Sequence, residues 1–137
     1  MVSILDNINS DCLNTDDMIL KKFPNILISH DNKYTLLRYS SSNIKDLSEI
    51  ESECRSVLLL KNDKNKYDLI YSLYDKIRIN DEAKKYIKEN KIPNSRLVFE
   101  QCYEGTLIVI FWCHLENKWR IHTRSCLDAD KSKWGKE

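Results

Sequence analysis

The sequence is poor in the residues that make sharp backbone turns, and its charges almost cancel. Its 137 residues include only two glycines and two prolines, and the net charge is +1. So few glycines exclude the glycine-rich loops that hold phosphates in P-loop and dinucleotide-binding proteins. A near-neutral chain has no global field that draws it onto nucleic acid, although a local basic pocket remains compatible with it. The longest apolar run, residues 107–113, is as long as a strand and too short to span a bilayer, so no membrane association is expected.

Cysteine and histidine are scattered without the spacing of a metal site. The five cysteines form no C-x-x-C pair, and the three histidines are not spaced with them as zinc ligands would be. We therefore expect reduced thiols and no bound metal. The N-terminal residues MVSILDNINSD lack the basic flank and apolar core of a secretory signal, which favours a cytoplasmic protein.

The chain up to residue 90 alternates between strand patterns and helix signals. Thr15 and two aspartates predict a capped helix that ends at Pro24, and residues 80–90 predict a second helix with acids at its start and lysines at its end. Residues 40–51 predict a loop with one helical turn. The predicted strands are residues 25–29, 33–39, 54–60 and 67–71, with turns at 30–32 and 61–66.

Residues 97–123 contain three further apolar segments that predict an antiparallel meander. The strands are expected at 97–103, 106–113 and 119–123. Residues 106–113 are apolar on both faces, which predicts a central strand covered on both sides, with Trp112 in the core. The predicted fold class is therefore α+β: a mainly antiparallel sheet with peripheral helices, forming one domain over residues 1–137.

Strand alternation places the basic residues near the C-terminus on a common face. Arg120, His122 and Arg124 face together, and Glu100, Cys102 and Glu104 do so on the strand that leads to Gly105. Basic groups opposite carboxylates and a glycine turn could hold a phosphate or a nucleotide. A solvated strand face with cross-strand ion pairs explains the same pattern. Alternation alone favours the solvated face.

Four short motifs, in order, resemble the adenylation domain of bacteriophage-type RNA ligases of the first class. Their residues in this chain are E53-C54-R55 before the strand SVLLL, Y74-D75-K76 with Asn80, Y103-E104-G105-T106-L107, and W119-R120-I121-H122-T123-R124-S125. The resemblance covers about residues 33–130. It implies part of a covalent nucleotidyltransferase fold, which is ATP-grasp-like.

The resemblance also implies which residues line a nucleotide site. It places Arg55 and Lys76 near the phosphates, Glu104 near the ribose or a metal, and His122 and Arg124 on a basic strand. Gly105 would let the nucleotide approach the backbone, and Cys102 occupies the position of the nucleophilic lysine. A thiol cannot form the phosphoramidate on which this chemistry depends. The later family motifs, which supply a metal-binding glutamate and two lysines, have no counterpart before Glu137.

These departures predict a binding domain that is not itself an enzyme. Its ligand would be a nucleotide, ATP or GTP with Mg²⁺, or an RNA end held in the remnant pocket; no DNA-specific motif is present. One alternative is half of a split RNA ligase that a partner chain completes. Another is a protein interaction module, or a decayed gene product, with no ligand. The resemblance to bacteriophage-type enzymes extends the expected setting to a virus-infected host cell.

Overall fold

The computed structural model describes residues 3–40, 46–73, 77–101 and 105–131. The chain forms two compact units, one made of Met1–Lys76 with Leu107–Glu137 and the other of Ile77–Thr106. The expectation of a single domain stays a prediction. The α+β class is confirmed, because the first unit contains a four-stranded antiparallel sheet, a two-stranded sheet and several short helices.

The four-stranded sheet has the simple order β1-β2-β3-β4, and each strand is antiparallel to the next. Its strands are β1 Ile26–Asp31, β2 Tyr34–Tyr39, β3 Val57–Lys61 and β4 Tyr67–Ser72. All four strands were predicted. The first turn is made by Asn32 and Lys33, with Asn32 at φ +56°, and so lies later than predicted. Asparagine tolerates this left-handed conformation better than most residues. The start of the third strand also differs from the prediction, since residues 54–56 form a turn.

The middle strands β2 and β3 are covered on both faces. Leu37, Tyr39, Val57 and Leu59 pack with the N-terminal helices in one apolar cluster. Tyr34, Leu36 and Leu58, at alternating positions, pack in a second cluster on the other face. These strands are therefore the central ones of the fold.

Three short helices lie in the first unit: α1 Ser3–Ser10, α2 Asp16–Lys22 and α3 Glu49–Ser52. Thr15 caps α2 as predicted, because its side chain accepts a hydrogen bond from the Met18 N–H. Helix α1, which was not predicted, buries Ile4 and Ile8 against the sheet. Helix α3 begins with a capping box formed by Ser48 and Glu51.

The second sheet of the first unit is a hairpin of β5 Ile108–Cys113 and β6 Lys118–Thr123. The prediction of a central, fully covered strand here is wrong. Among the described residues β5 pairs only with β6, and Ile108 and Ile110 are 52% and 57% exposed. Trp112 is half-buried rather than in the core. A long apolar run therefore marks a strand with one exposed apolar face.

The second unit contains helix α4, Asn80–Glu89, as predicted, and a 3₁₀ turn at Asn94–Arg96. The guanidinium of Arg78 lies 4.0 Å from the ring centroid of Tyr86. Residues 97–101 are not a strand, which corrects the predicted meander, and Val98 and Phe99 are 79% and 93% exposed. None of the described helices is long and apolar enough to cross a bilayer.

Candidate functional site

The structure describes four of the seven residues that sequence analysis placed in the site. Arg55, His122 and Arg124 lie in the first unit, and Gly105 lies in the second. Lys76, Cys102 and Glu104 lie outside the described residues, so their predicted roles stay predictions. Gly105 is exposed, and a Cβ atom added there would meet no heavy atom within 4 Å.

His122 forms the centre of a buried polar network between the hairpin and the sheet. Its side chain is fully buried, and its Nδ1 lies 2.8 Å from the Thr123 carbonyl oxygen and 3.2 Å from the Tyr71 hydroxyl. The Tyr71 hydroxyl lies 3.1 Å from the Ser56 Oγ, which is also buried. A chain of three side chains therefore joins β6, β4 and the residue before β3.

Burial of His122 favours a neutral ring. Its Nδ1–H donates to the Thr123 carbonyl, which leaves Nε2 as a lone-pair acceptor. Burial lowers the pKa of His122, although the Thr123 hydrogen bond acts in the opposite direction. The buried Nε2 has no hydrogen-bond partner among the described residues. His122 therefore positions its neighbours and supplies no positive charge.

Arg120 lies on the same side of β6 and joins the hairpin to β1. Its Nη2 donates to Asp31 Oδ2 at 2.5 Å, and its Nε lies 3.6 Å from Glu116 Oε2. The side chain is only 12% exposed. The prediction that Arg120 and His122 share a face is confirmed, but the face is the buried one. Trp119 and Ile121 lie on the outer face, 66% and 48% exposed.

A pair of arginines lies where β6 ends beside β2. Arg124 packs over the ring of Tyr39, with its guanidinium carbon 5.9 Å from the ring centroid. Arg38, the residue before Tyr39, is half-buried, and its Nε is shielded from solvent without a hydrogen-bond partner in the described chain. Burial, followed by the positive charge of Arg124, lowers the pKa of Arg38. Neither arginine forms an ion pair with a described carboxylate.

This arrangement is unfavourable for the protein alone and favourable for an anion. Two nearby positive charges repel each other, and burial makes the charge of Arg38 more costly. An anion that contacts both guanidiniums would remove both penalties, and planar guanidiniums match the oxygens of a phosphate or carboxylate. The pair is therefore the best candidate for a ligand-binding site among the described residues.

Arg55 lies in the turn that leads into β3, directly before Ser56 of the buried network. It is half-buried, and its side chain has no hydrogen-bond or ion-pair partner among the described residues. The backbone N–H of Tyr39 donates to the carbonyl of Cys54 at 2.6 Å, which places this turn beside the end of β2. Arg55 therefore directly follows Cys54, which is hydrogen-bonded to Tyr39. Arg124 packs against the ring of the same tyrosine.

Sequence analysis missed Arg38. The signal was present, since Tyr34, Leu36 and Arg38 alternate along one face of β2. That face carries buried apolar residues at the two earlier positions. A cation at the third position of a buried face is unusual unless it has a partner.

A separate polar cavity of about 470 Å³ lies near the turns of the four-stranded sheet. Its lining includes His30, whose Nε2 lies 2.8 Å from Asp16 Oδ2 and whose Nδ1 lies 3.1 Å from Thr35 Oγ1. Lys61 there donates to the Asn14 carbonyl. Because these groups already satisfy one another, the cavity is a weaker candidate than the arginine pair.

The described residues contain no group of three or more His, Cys, Asp or Glu side chains that could hold a metal ion. Cys12, Cys54, Cys113 and Cys126 are free thiols, and of these Cys54 and Cys113 are buried. Burial raises the pKa of the Cys54 thiol, which makes it unreactive. Comparison of the chain with protein-family models, curated proteins and solved structures gives no match.

Proposed function

We propose that the chain binds a phosphate-bearing ligand, a nucleotide or an RNA end, through Arg38 and Arg124, and does not catalyse nucleotidyl transfer. The observation that carries this proposal is that Arg124 packs over the ring of Tyr39, next to Arg38, and lowers the Arg38 pKa by its charge, while neither arginine has a carboxylate partner in the described chain. Proteins retain such an arrangement at a cost in stability where an external anion completes it.

The residues around the pair have supporting roles in this proposal. The Tyr39 ring orients the Arg124 guanidinium by a cation–π contact. The network of Ser56, Tyr71 and His122 fixes β6 against the sheet, and so fixes where Arg124 leaves the strand. The resemblance to RNA ligases adds Arg55 and Lys76 as further nucleotide contacts, and the roles that it implies for Glu104 and Gly105 stay predictions.

The identity of the ligand follows from the same resemblance. ATP, GTP or a 5′-phosphorylated RNA end would each present phosphate oxygens to the guanidiniums. Because the described residues hold no carboxylate cluster, Mg²⁺ would enter with the phosphates of the nucleotide. Cys102 in place of lysine is the reason to propose binding without covalent transfer.

Isothermal titration calorimetry with ATP, GTP, pyrophosphate and a 5′-phosphorylated RNA hexamer tests this proposal. We expect saturable binding that weakens with salt, and a loss of about tenfold or more for Arg38→Ala or Arg124→Ala, as for a lost charged hydrogen bond. Arg96→Ala, an exposed arginine of the second unit, is the matched control. Equal affinities for all three variants and the wild type, or no heat with any ligand, would overturn the proposal.

Incubation with α-labelled ATP and Mg²⁺ tests the absence of catalysis. We expect no label on the protein after denaturation. A covalent adenylate on this chain alone would refute the non-catalytic part. Label that forms only when a partner chain is added would favour the split ligase.

A further inference from the structure

A second cavity, of about 350 Å³, lies in the first unit beside the edge of β6 that pairs with no other strand among the described residues. The chain turns back after β6 through a bridge between Thr123 and Cys126, and residues 127–130 form the opposite wall. The strand side presents Trp119 and Ile121, and the wall presents Leu127, Asp128 and Asp130. The volume lies in the range of small-ligand sites.

Trp119 gives this cavity an exposed and well-oriented aromatic ring. Its side chain is 66% exposed, yet it packs edge to face against Trp112, with ring centroids 5.4 Å apart and planes at 75°. A tryptophan held by a neighbour and left open to solvent is a platform on which a nucleic-acid base can stack. Packing in the core is the usual role of a tryptophan, and it does not explain why the Trp119 side chain is so exposed.

The wall opposite Trp119 carries two carboxylates, of which Asp128 is already engaged. Its Oδ1 accepts the backbone N–H of Asp130 at 3.1 Å, its Oδ2 lies 3.4 Å from the Lys131 Nζ, and both contacts lower the pKa of Asp128. The carboxylate of Asp130 has no ion-pair partner in the described part of the chain. Ionised carboxylates only accept hydrogen bonds, as from the exocyclic amino group of cytosine.

Arg120 also lines the cavity, but its guanidinium is engaged on the inner side of β6, where it pairs with Asp31 and Glu116. A base with an exocyclic amino group offers a donor that an ionised carboxylate accepts. The carboxylate of Asp130 therefore favours such a base over an apolar or a purely anionic ligand.

We propose that this cavity binds one base of a single-stranded RNA, stacked on Trp119 and preferably carrying an exocyclic amino group. The inference rests on the proposed function, because Arg38 and Arg124 would bind the phosphate at the end of the same RNA strand. Trp119 and Arg124 lie five residues apart in sequence, roughly 16 Å along an extended strand. We therefore expect a short oligonucleotide, and not a mononucleotide, to contact both sites.

Fluorescence and calorimetric titrations with 5′-phosphorylated C₆, 5′-phosphorylated U₆ and pyrophosphate, which has no base, test the inference. We expect C₆ to bind more tightly than U₆ and to quench tryptophan fluorescence. Trp119→Ala should weaken C₆ binding by about 5- to 150-fold, the range for loss of one stacked base, and should leave pyrophosphate binding unchanged. Trp119→Phe, which keeps a ring, should retain most of the affinity, and Asp130→Asn should reduce the preference for C₆ over U₆.

The two proposals fail in different ways. Arg124→Ala that weakens pyrophosphate and C₆ binding alike, with Trp119→Ala equal to wild type for C₆, would overturn the base site and leave the phosphate site. If Arg124→Ala has no effect on pyrophosphate binding, the proposed function itself fails. Sedimentation that shows a dimer dispersed by Trp119→Ala, with C₆ affinity unchanged, would assign this face to a second copy of the chain and overturn the inference.

Discussion

Arg124 lies close enough to Arg38 for its positive charge to lower the pKa of Arg38, on top of the effect of burial. Neither side chain has a carboxylate partner in the described chain. By contrast, Arg120 four residues earlier is paired with Asp31 and Glu116. Arg120 is therefore neutralised by carboxylates, whereas Arg38 and Arg124 have no described carboxylate that would compete with a ligand.

Arg124→Gln should affect stability and binding in opposite directions. Without ligand, loss of the repulsion should leave the free energy of unfolding unchanged or raise it by up to about 1 kcal/mol. The stabilisation that pyrophosphate gives to the wild type should disappear. Urea unfolding with and without pyrophosphate measures both, and Arg96→Gln should behave as the wild type does. A variant that is destabilised without ligand would show that Arg124 has a structural role instead.

His122 should make the protein less stable in mild acid. Because burial lowers the pKa of His122, the unfolded chain takes up a proton more readily than the folded one. This contribution is complete above the unfolded pKa of about 6.5 and declines below it, by up to about 1.4 kcal/mol per pH unit. Urea unfolding between pH 7.5 and 5.5 measures the slope. His122→Gln should reduce the change in unfolding free energy with pH, whereas the exposed control His114→Gln should leave it as in the wild type. The same pH dependence in both variants would contradict this.

Glu51 should stabilise the junction between α3 and β1. Its buried carboxylate accepts the backbone N–H groups of Asn25 and Ser48, each at 2.9 Å. Burial raises its pKa, but these hydrogen bonds lower it overall. The stabilisation is therefore present above the unfolded pKa of about 4.3 and is lost as the pH falls through the lower folded value.

Glu51→Gln should cost about 1 to 3 kcal/mol at pH 7 in denaturant unfolding. The difference from wild type should shrink near pH 3. The exposed neighbour Glu49 provides the control, since Glu49→Gln should change stability little. A Glu51→Gln cost that does not depend on pH would mean that packing, and not charge, is responsible.

Asp31→Asn should loosen the hairpin from the sheet. It leaves the guanidinium of Arg120, 12% exposed, without its closest anion, at a cost of about 1.5 to 3 kcal/mol. The double variant with Arg120→Met should lose less than the sum of the two single variants, because no unpaired charge remains. Asp63→Asn, from the exposed pair with Lys33, should cost little. Thermal unfolding of the wild type and these four variants measures the coupling, and strict additivity of the two single variants would contradict it.

Local signals in the sequence were sufficient for most elements of the first unit. The cap at Thr15 and the β-prone segments of β1 to β4 were predicted, because each depends on neighbours in sequence. The hairpin β5–β6 was predicted as two strands but placed wrongly in a sheet. Its apolar run cannot show which face is covered, since coverage depends on contacts with distant strands.

The candidate site shows the same limit. Alternation grouped Arg120 and His122 correctly, but it could not show that their common face is buried against the sheet. Arg38 was missed because its partner Arg124 is 86 residues away in sequence, and no local pattern joins them. The arginine pair is identified from tertiary proximity, and no sequence motif predicts it.

The most direct measurement of the central proposal is the NMR signal of the arginine Nε–Hε groups during a pyrophosphate titration at low salt. We predict saturable shifts for Arg38 and Arg124, with one common dissociation constant, while Arg96 in the second unit stays unchanged. Shifts that are equal for all arginines, or absent for Arg38 and Arg124 up to millimolar pyrophosphate, would contradict a phosphate site at this pair.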